Sequence, residues 1–160
     1  NLAEDFSSEL YELANEKNNL FYRGEANYLQ GYLELSQGEK SGDDKMEENL
    51  MKIQKASIDY EKAGDFAGAG KCYEQIGGIY RSRLDRPLNA SLFFIQAMKS
   101  YNEALLRNHP LRTSLWAKAE NLTGKVLDMR DLAEELIPQI EDPQERQRLS
   151  KMLKSVELNF

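Results

Sequence analysis

The chain has 160 residues, of which 41% are hydrophobic and 30% are charged, and its net charge is −6. A chain of this length buries about 70% of its unfolded surface in one domain, and its apolar content argues against disorder. No apolar run reaches the ~18 residues that a membrane-spanning helix needs. We therefore expect a single domain over residues 1–160 without an integral membrane segment. The single cysteine, Cys72, predicts a reducing and hence cytoplasmic location.

The charge is distributed unevenly along the chain. Residues 1–50 carry a net charge of −8, residues 51–130 carry +5 and residues 131–160 carry −3. A basic middle in an acidic protein predicts an acidic partner for that segment, and ordinary helix-surface charge is the alternative explanation. The sequence pI near 5.0 and the lack of a basic-aromatic motif argue against a nucleic-acid partner. Peripheral association with a membrane stays open.

Apolar residues recur at intervals of three and four, which is the pattern of amphipathic helices. The pattern predicts an N-terminal hairpin over residues 1–35, with one apolar stripe on each of its two helices. The stripes consist of Leu2, Phe6, Leu10 and Leu13 in the first helix and Tyr22, Ala26, Leu29 and Leu33 in the second. The polar, glycine-containing stretch 36–45 is then expected to form an exposed loop.

The same apolar pattern predicts two further helical hairpins over residues 46–128. The third helix runs from about Met46 to Ala63. The fourth helix begins after Asp65, whose carboxylate is placed to cap it. Its apolar stripe consists of Ala69, Tyr73, Ile76 and Tyr80.

Prolines separate the predicted helices in the second half of the chain. Pro87 suits the first turn of a fifth helix, after the break at residues 84–90. A sixth helix follows the break at residues 108–110. Its apolar residues are Leu115, Trp116, Ala119, Leu122 and Val126. Residues 129–160 predict two shorter helices separated near the last two prolines, so the predicted fold is all-α with about eight helices.

The stretch GDFAGAGKC, residues 64–72, resembles a phosphate-binding loop only superficially. That loop needs a glycine five residues before its Gly-Lys pair and a hydroxyl residue directly after the pair. Asp65 and Cys72 occupy these positions. A carboxylate repels phosphate, and a thiol is a poor ligand for Mg²⁺. We interpret the stretch as the turn of a helical hairpin, with Gly68 and Gly70 permitting close packing.

The chain repeats itself with an offset of 41 residues, which aligns Tyr60 with Tyr101. The same offset pairs Ile53 with Phe94, Ala56 with Ala97, and Ser57 with Met98. In each copy, we expect the small residue to permit close approach between helices. The tyrosine is expected to fill the gap between neighbouring hairpins.

The order Ala56, Tyr60, the Gly64-Asp65 turn, Ala69 and Tyr73 resembles a tetratricopeptide (TPR) repeat, although the usual period is about 34 residues. Residues 60–105 are similar to the soluble NSF-attachment proteins (SNAPs). Those proteins are vesicle-trafficking adaptors that hold SNARE bundles for a disassembling ATPase. The resemblance implies a right-handed α-α superhelix and an adaptor role.

This chain departs from both families in particular places. It has about half the length that the resemblance to SNAPs implies. Its last residues, SVELNF, lack the acidic, leucine-containing ending of SNAPs, so the resemblance does not extend to ATPase stimulation. Gln54 and Ile58 stand where peptide-binding TPR proteins carry the residues of their carboxylate clamp, so that clamp is not expected here.

Residues with catalytic or metal-binding potential are few. His109 is the only histidine and precedes a proline at a turn, and Cys72 falls on a small-residue helix face. Neither a zinc site nor a Cys-His dyad follows from these residues. The adjacent pairs Glu47-Glu48 and Glu134-Glu135 point in different directions on a helix. We therefore predict no enzyme activity, no cofactor and no metal site.

The predicted function is a non-catalytic scaffold or adaptor that binds a helical or extended acidic segment of a protein. The first candidate surface is the concave face, which the first helix of each hairpin lines. Its exposed positions are predicted to be Gln54, Lys55, Lys62, Gln96, Lys99 and Asn102. The second candidate is a basic edge of Arg81, Arg83 and Arg86, whose guanidinium groups are suited to carboxylates. Complementation of a helix dipole is the alternative explanation for these arginines.

Two other functions are weighed against this one. The first is a structural subunit or fragment of a larger helical-repeat assembly, which an N-terminal residue other than methionine favours. The second is a small helical enzyme, which would need a pocket of convergent titratable groups. The oligomeric state is not predicted from the sequence.

Overall fold

The computed structural model describes residues 2–16, 19–37, 43–108 and 121–160. These residues form seven α-helices and one short 3-10 helix, and they contain no strand. The α-helices are α1 (Leu2–Glu16), α2 (Leu20–Gln37), α3 (Asp43–Ala63), α4 (Phe66–Ser82), α5 (Pro87–Arg107), α6 (Leu122–Leu136) and α7 (Pro143–Lys154), and the 3-10 helix is Ile137–Gln139. The predicted all-α class is confirmed for this part of the chain.

The turn between α3 and α4 and the start of α5 have the predicted form. The Asp65 carboxylate accepts a hydrogen bond from the Gly68 N–H at 2.9 Å and so caps α4. Gly64 has a φ of 84°, which residues with a side chain rarely adopt, and it lets the chain reverse there. Pro87 is the first residue of α5, where a missing N–H has no cost.

The predicted loop at 36–45 is too long. The structure extends α2 to Gln37 and begins α3 at Asp43. Residues 38–42, in the middle of the predicted loop, lie outside the described residues.

Helix α6 crosses the predicted boundary between residues 128 and 129. It runs without interruption from Leu122 to Leu136 because no proline lies between Leu122 and Pro138, which is in the 3-10 helix. Leu122 and Val126 belong to this helix as its first apolar residues. The other apolar residues predicted for a sixth helix and the single histidine lie outside the described residues; they are Leu115, Trp116, Ala119 and His109.

Each helix packs mainly against its neighbours in the chain. Helices α1 to α6 contact one another in sequence order, and α7 returns to α5 and the 3-10 helix. One core cluster joins α2, α3 and α4 around Ile53 and Ile76. A second cluster joins α5, α6 and α7 around Met98, Met129 and Leu149. Packing between chain neighbours is what a stack of helical hairpins requires.

Helix α1 buries a different face from the one predicted. Leu2, Phe6 and Leu13 are 89%, 58% and 50% exposed, whereas Ser7 and Ala14 are buried. Small side chains permit a close approach to α2, which leaves the larger side chains outside. Three of the four residues of the apolar stripe predicted for α1 therefore face solvent. In α2, Tyr22 is exposed and Ala26 is buried, so that stripe is only partly right.

The interface between α2 and α3, called the first interface, places glycines against large side chains. A Cβ on Gly31 would stand only 2.7 Å from Ile53 Cγ1, and one on Gly24 would stand 3.4 Å from the Tyr60 ring. Tyr60 is fully buried, and its hydroxyl donates to Glu25 Oε1 at 2.7 Å. The absence of a side chain on α2 thus creates the space that α3 fills.

The interface between α4 and α5, called the second interface, has the same construction. A Cβ on Gly70 would stand 2.7 Å from the Tyr101 ring, and one on Gly77 would stand 2.9 Å from the Phe94 ring. Tyr101 is fully buried, and its hydroxyl donates to Glu74 Oε2 at 2.5 Å. The close packing predicted at Gly70 and the placement of the two tyrosines between neighbouring hairpins are confirmed, and Ala56 and Ala97 are buried.

Candidate partner-binding surfaces

One exposed face of α3, called the α3 face, combines apolar and basic side chains. Met51 and Ile58 are 60% and 44% exposed, and Lys55 and Lys62 are also exposed. Their spacing of three and four residues places all four on one side of the helix. The sequence predicted the two lysines as candidates, together with the exposed Gln54, but it did not select the two apolar residues. The combination suits an acidic amphipathic segment.

The corresponding face of α5 is covered. Gln96 and Lys99 are half-buried, and Asn102 is buried. The prediction that Asn102 is exposed is therefore wrong. The physical reason is that the segment following α7, residues 155–160, lies against α5 and contacts this asparagine.

The Asn102 side chain holds that segment mainly through the backbone atoms of the segment. Its Nδ2 donates to the Glu157 carbonyl at 2.7 Å, and its Oδ1 accepts from the Asn159 N–H at 2.8 Å. The Asn159 Nδ2 returns a hydrogen bond to the Asn102 carbonyl at 2.9 Å. In an extended strand, the carbonyl of one residue and the N–H two residues later point to the same side. The Asn102 amide therefore makes the two bonds that a neighbouring strand would make.

Residues 155–160 lie along α5 in a site that we call the α5 groove, and about 650 Å³ between the segment and α5 stays open. Its α5 lining consists of Lys99, Asn102, Glu103, Leu106 and Arg107. On the other side, Val156 and Leu158 pack against the second core cluster. The segment is thus held by alternate apolar side chains and by an amide that contacts its backbone.

The three arginines of the predicted basic edge do not form one site. Arg81 pairs with Glu135 of α6 at 3.2 Å, and Arg86 pairs with Glu47 of α3. Arg83 lines a separate cavity of about 340 Å³ between α2 and α4. Two of the three guanidinium groups therefore connect helices of this chain. Exposed pairs of this kind contribute only about 0–1 kcal/mol each.

A buried carboxylate lies inside the first interface. Asp59 is 5% exposed, and Arg23 binds it with two hydrogen bonds, at 2.8 Å and 3.1 Å. Asn27 Nδ2 donates to the same carboxylate at 3.2 Å. The hydrogen bonds from the Arg23 guanidinium to Asp59 raise the pKa of Arg23 above its usual value. This group connects α2 to α3, and the buried Asp59 carboxylate is not available to a partner.

The single cysteine of the chain lies in the core. Cys72 is fully buried, and burial raises the pKa of its thiol well above the usual value, which disfavours the reactive thiolate. Among the described residues, no group of three His, Cys, Asp or Glu side chains is placed to hold a metal ion. No helix in these ranges is long and apolar enough to cross a membrane.

Comparison with known proteins identified no relative of this chain. No family model matches the chain, and no curated protein or solved structure is significantly similar to it. The TPR-like and SNAP-like interpretation therefore stays a prediction from the residue pattern. The function has to be argued from the surfaces themselves.

Proposed function

We propose that this chain is a non-catalytic, cytoplasmic protein-interaction scaffold whose α3 face binds an acidic amphipathic segment of a partner protein. The observation that carries the proposal is the exposure of Met51 and Ile58 beside Lys55 and Lys62. Full burial of a wholly exposed side chain of this size contributes about 1.5–3 kcal/mol, and Met51 and Ile58 gain the part of it that corresponds to their present exposure. The two ammonium groups steer an acidic segment toward the face and fix its orientation.

A narrower form of the proposal is a TPR-like, right-handed superhelix with a SNAP-like adaptor role, whose partner is a SNARE-type helix. It is supported by two interfaces of the same construction and by packing between chain neighbours. In such a stack, the first helix of each hairpin lines the concave side. This form assigns α3 and α5 to that side.

A second candidate function is a structural part of a larger helical-repeat assembly. The observation that favours it is the set of large apolar side chains exposed on α1, namely Leu2, Phe6 and Leu13. A further hairpin or a second subunit would cover them. This candidate predicts self-association or a permanent complex, which sedimentation velocity measures directly.

The test is photo-crosslinking from the α3 face. Ile58 is replaced by a benzophenone amino acid in the full chain, and crosslinked peptides from lysate are identified by mass spectrometry. We expect acidic segments with apolar residues at helical spacing. The control carries the same probe at Gln147, an exposed position on α7.

A charge-reversal pair gives the second arm of the test. The variant Lys55→Glu/Lys62→Glu is expected to lose the Ile58 crosslinks. The matched variant Lys151→Glu/Lys154→Glu makes the same charge change on α7 and is expected to keep them. Equal crosslinking in both variants, with helical circular dichroism intact, would overturn the proposal.

A further inference from the structure

We propose that the α5 groove is a binding site for extended segments, in which residues 155–160 are the resident occupant. A partner segment with alternating apolar and acidic residues replaces them there. This inference rests on the proposed function and deepens it, because it names a second surface and the kind of segment that the surface takes. The partner at the α3 face is an amphipathic segment, whereas the partner here is extended.

The first argument is that Asn102 recognises backbone atoms. Its amide donates to the Glu157 carbonyl and accepts from the Asn159 N–H. Any extended segment presents such a carbonyl and, two residues later, such an N–H. The one exception is a segment with proline at the second of these positions, because proline has no N–H. The amide therefore selects an extended conformation without selecting a sequence. Its burial gives these two hydrogen bonds a low-dielectric surrounding, in which they are stronger than in water.

The second argument is that side chains on both sides of the bound backbone define a sequence pattern. Val156 and Leu158 pack against the core, whereas Glu157 between them is exposed. Alternation of this kind is the period of an extended chain. The site therefore takes an apolar residue, an acidic or polar residue and a second apolar residue, in that order.

The third argument is charge and space on the α5 side. Lys99 and Arg107 line the groove, and the Glu103 carboxylate is paired with Arg107 at 2.7 Å. The lining thus has one more cation than its own carboxylate balances, which favours an acidic segment. The volume of about 650 Å³ that residues 155–160 leave open also admits bulkier side chains than they carry.

The connection of residues 155–160 to α7 determines how partners compete. A tethered segment acts at an effective concentration in the millimolar range, so it occupies the groove in most molecules. A partner then binds with an apparent affinity reduced by the fraction of open grooves. Loosening the resident segment is expected to strengthen partner binding.

The experiment uses the full chain and a labelled peptide of the resident sequence. The probe is fluorescein-Ser-Val-Glu-Leu-Asn-Phe-amide, and its binding is followed by fluorescence anisotropy. The variant Leu158→Gly/Asn159→Pro opens the groove, because it removes one apolar side chain and the N–H that donates a hydrogen bond to Asn102 Oδ1. We expect it to bind the peptide at least tenfold more tightly than the natural chain.

Two controls isolate the role of Asn102. Adding Asn102→Ala to the opened variant is expected to weaken peptide binding about tenfold, because two hydrogen bonds are lost. Adding Asn15→Ala, the same change at an exposed position of α1, is expected to leave binding unchanged. A peptide with proline in place of its asparagine lacks the required N–H and is expected not to bind.

The opposite results would overturn the inference. They are a folded opened variant that binds no more tightly than the natural chain, or an Asn102→Ala change without effect. If the opened variant loses its helical circular dichroism, the natural chain gives the test. Excess unlabelled peptide should accelerate hydrogen exchange at the Asn159 amide, and unchanged exchange contradicts the inference.

The two proposals fail separately. If peptide binding fails and the Ile58 crosslinks are retained, the proposal for the α5 groove is contradicted and the α3 face is left as the partner site. If the peptide binds and no Ile58 crosslinks form, the proposal for the α3 face is contradicted and the proposal for the α5 groove is retained.

Discussion

The first and second interfaces share their packing and differ in their charges. In both, a fully buried tyrosine lies against a glycine of the preceding helix and donates to a glutamate there. The residue before the tyrosine is Asp59 in the first interface, bound to Arg23, and the uncharged Ser100 in the second. The packing is therefore the common element of the repeat, and the neighbouring polar residues vary around it.

The exposed faces differ more than the interfaces do. The α3 face presents Met51 and Ile58 to solvent, whereas residues 155–160 cover the corresponding side of α5. One packing scheme thus supports an open surface on one helix and a filled groove on the other. The comparison teaches that a helical repeat can diverge in binding while its helix contacts stay the same.

Removing either tyrosine is expected to have the largest effect on this comparison. Tyr60→Ala and Tyr101→Ala should each lower the free energy of unfolding by about 4 kcal/mol, because each leaves a cavity beside a glycine. Similar losses in urea denaturation would support equivalent interfaces, and a difference above about 2 kcal/mol would contradict the equivalence. Tyr32→Ala, at a half-exposed position of α2, is the control and should cost far less.

The charge difference can be tested by making the first interface resemble the second. Arg23→Ala leaves the buried Asp59 carboxylate with less compensation, and we expect a loss of about 2 kcal/mol in unfolding free energy. The double variant Arg23→Met/Asp59→Ser removes both charges and should recover most of that loss. A double variant less stable than Arg23→Ala would show that the ion pair itself is required.

Alanine substitutions at glycines should change stability in opposite directions. Gly70→Ala places a Cβ 2.7 Å from the Tyr101 ring, and we expect a loss of about 1–3 kcal/mol. A Cβ on Gly78 meets nothing within 4 Å, so Gly78→Ala on the same helix should gain up to about 1 kcal/mol. Thermal unfolding compares the two variants, and a gain in both would contradict the close packing.

The smallest expected effect concerns the glutamate beside Tyr60. Burial raises the pKa of Glu25 above its usual value of 4.5. The folded state therefore holds its proton at higher pH than the unfolded state does, and stability falls as pH rises from the unfolded value through the raised one.

Glu25→Gln should remove this fall because glutamine does not titrate and still accepts from Tyr60. Urea denaturation at about pH 4 and about pH 7 should show that the variant loses less stability, or gains more, between the two pH values than the natural chain does. Glu9→Gln, at an exposed position of α1, should leave the difference unchanged. A variant with the full natural pH dependence would contradict the assignment.

The sequence was most informative where a local signal specifies local structure. Two helix starts were located in this way. Asp65 marks the start of α4, where its carboxylate accepts from the Gly68 N–H, and Pro87 after a break in the apolar pattern marks the start of α5. The offset of 41 residues identified Tyr60 and Tyr101 as buried. Each of these inferences depends on backbone chemistry or on a periodic pattern, which a single sequence contains.

The sequence was least informative where contacts join distant residues. Asn102 meets a segment 55 residues later, and Arg23 meets a carboxylate 36 residues later. No local pattern marks either contact. In α1 both faces carry apolar residues, so periodicity alone did not distinguish the buried Ala14 from the exposed Phe6.

The start of α4 has a consequence for folding during synthesis. The Ala67 N–H is bound at 2.9 Å by the side chain of Asn108, which lies directly after the end of α5. The ribosome must add 41 more residues before this amide receives its partner. Helix α4 therefore reaches its final hydrogen bonding only after α5 has been made, and the two helices should mature as one cooperative unit.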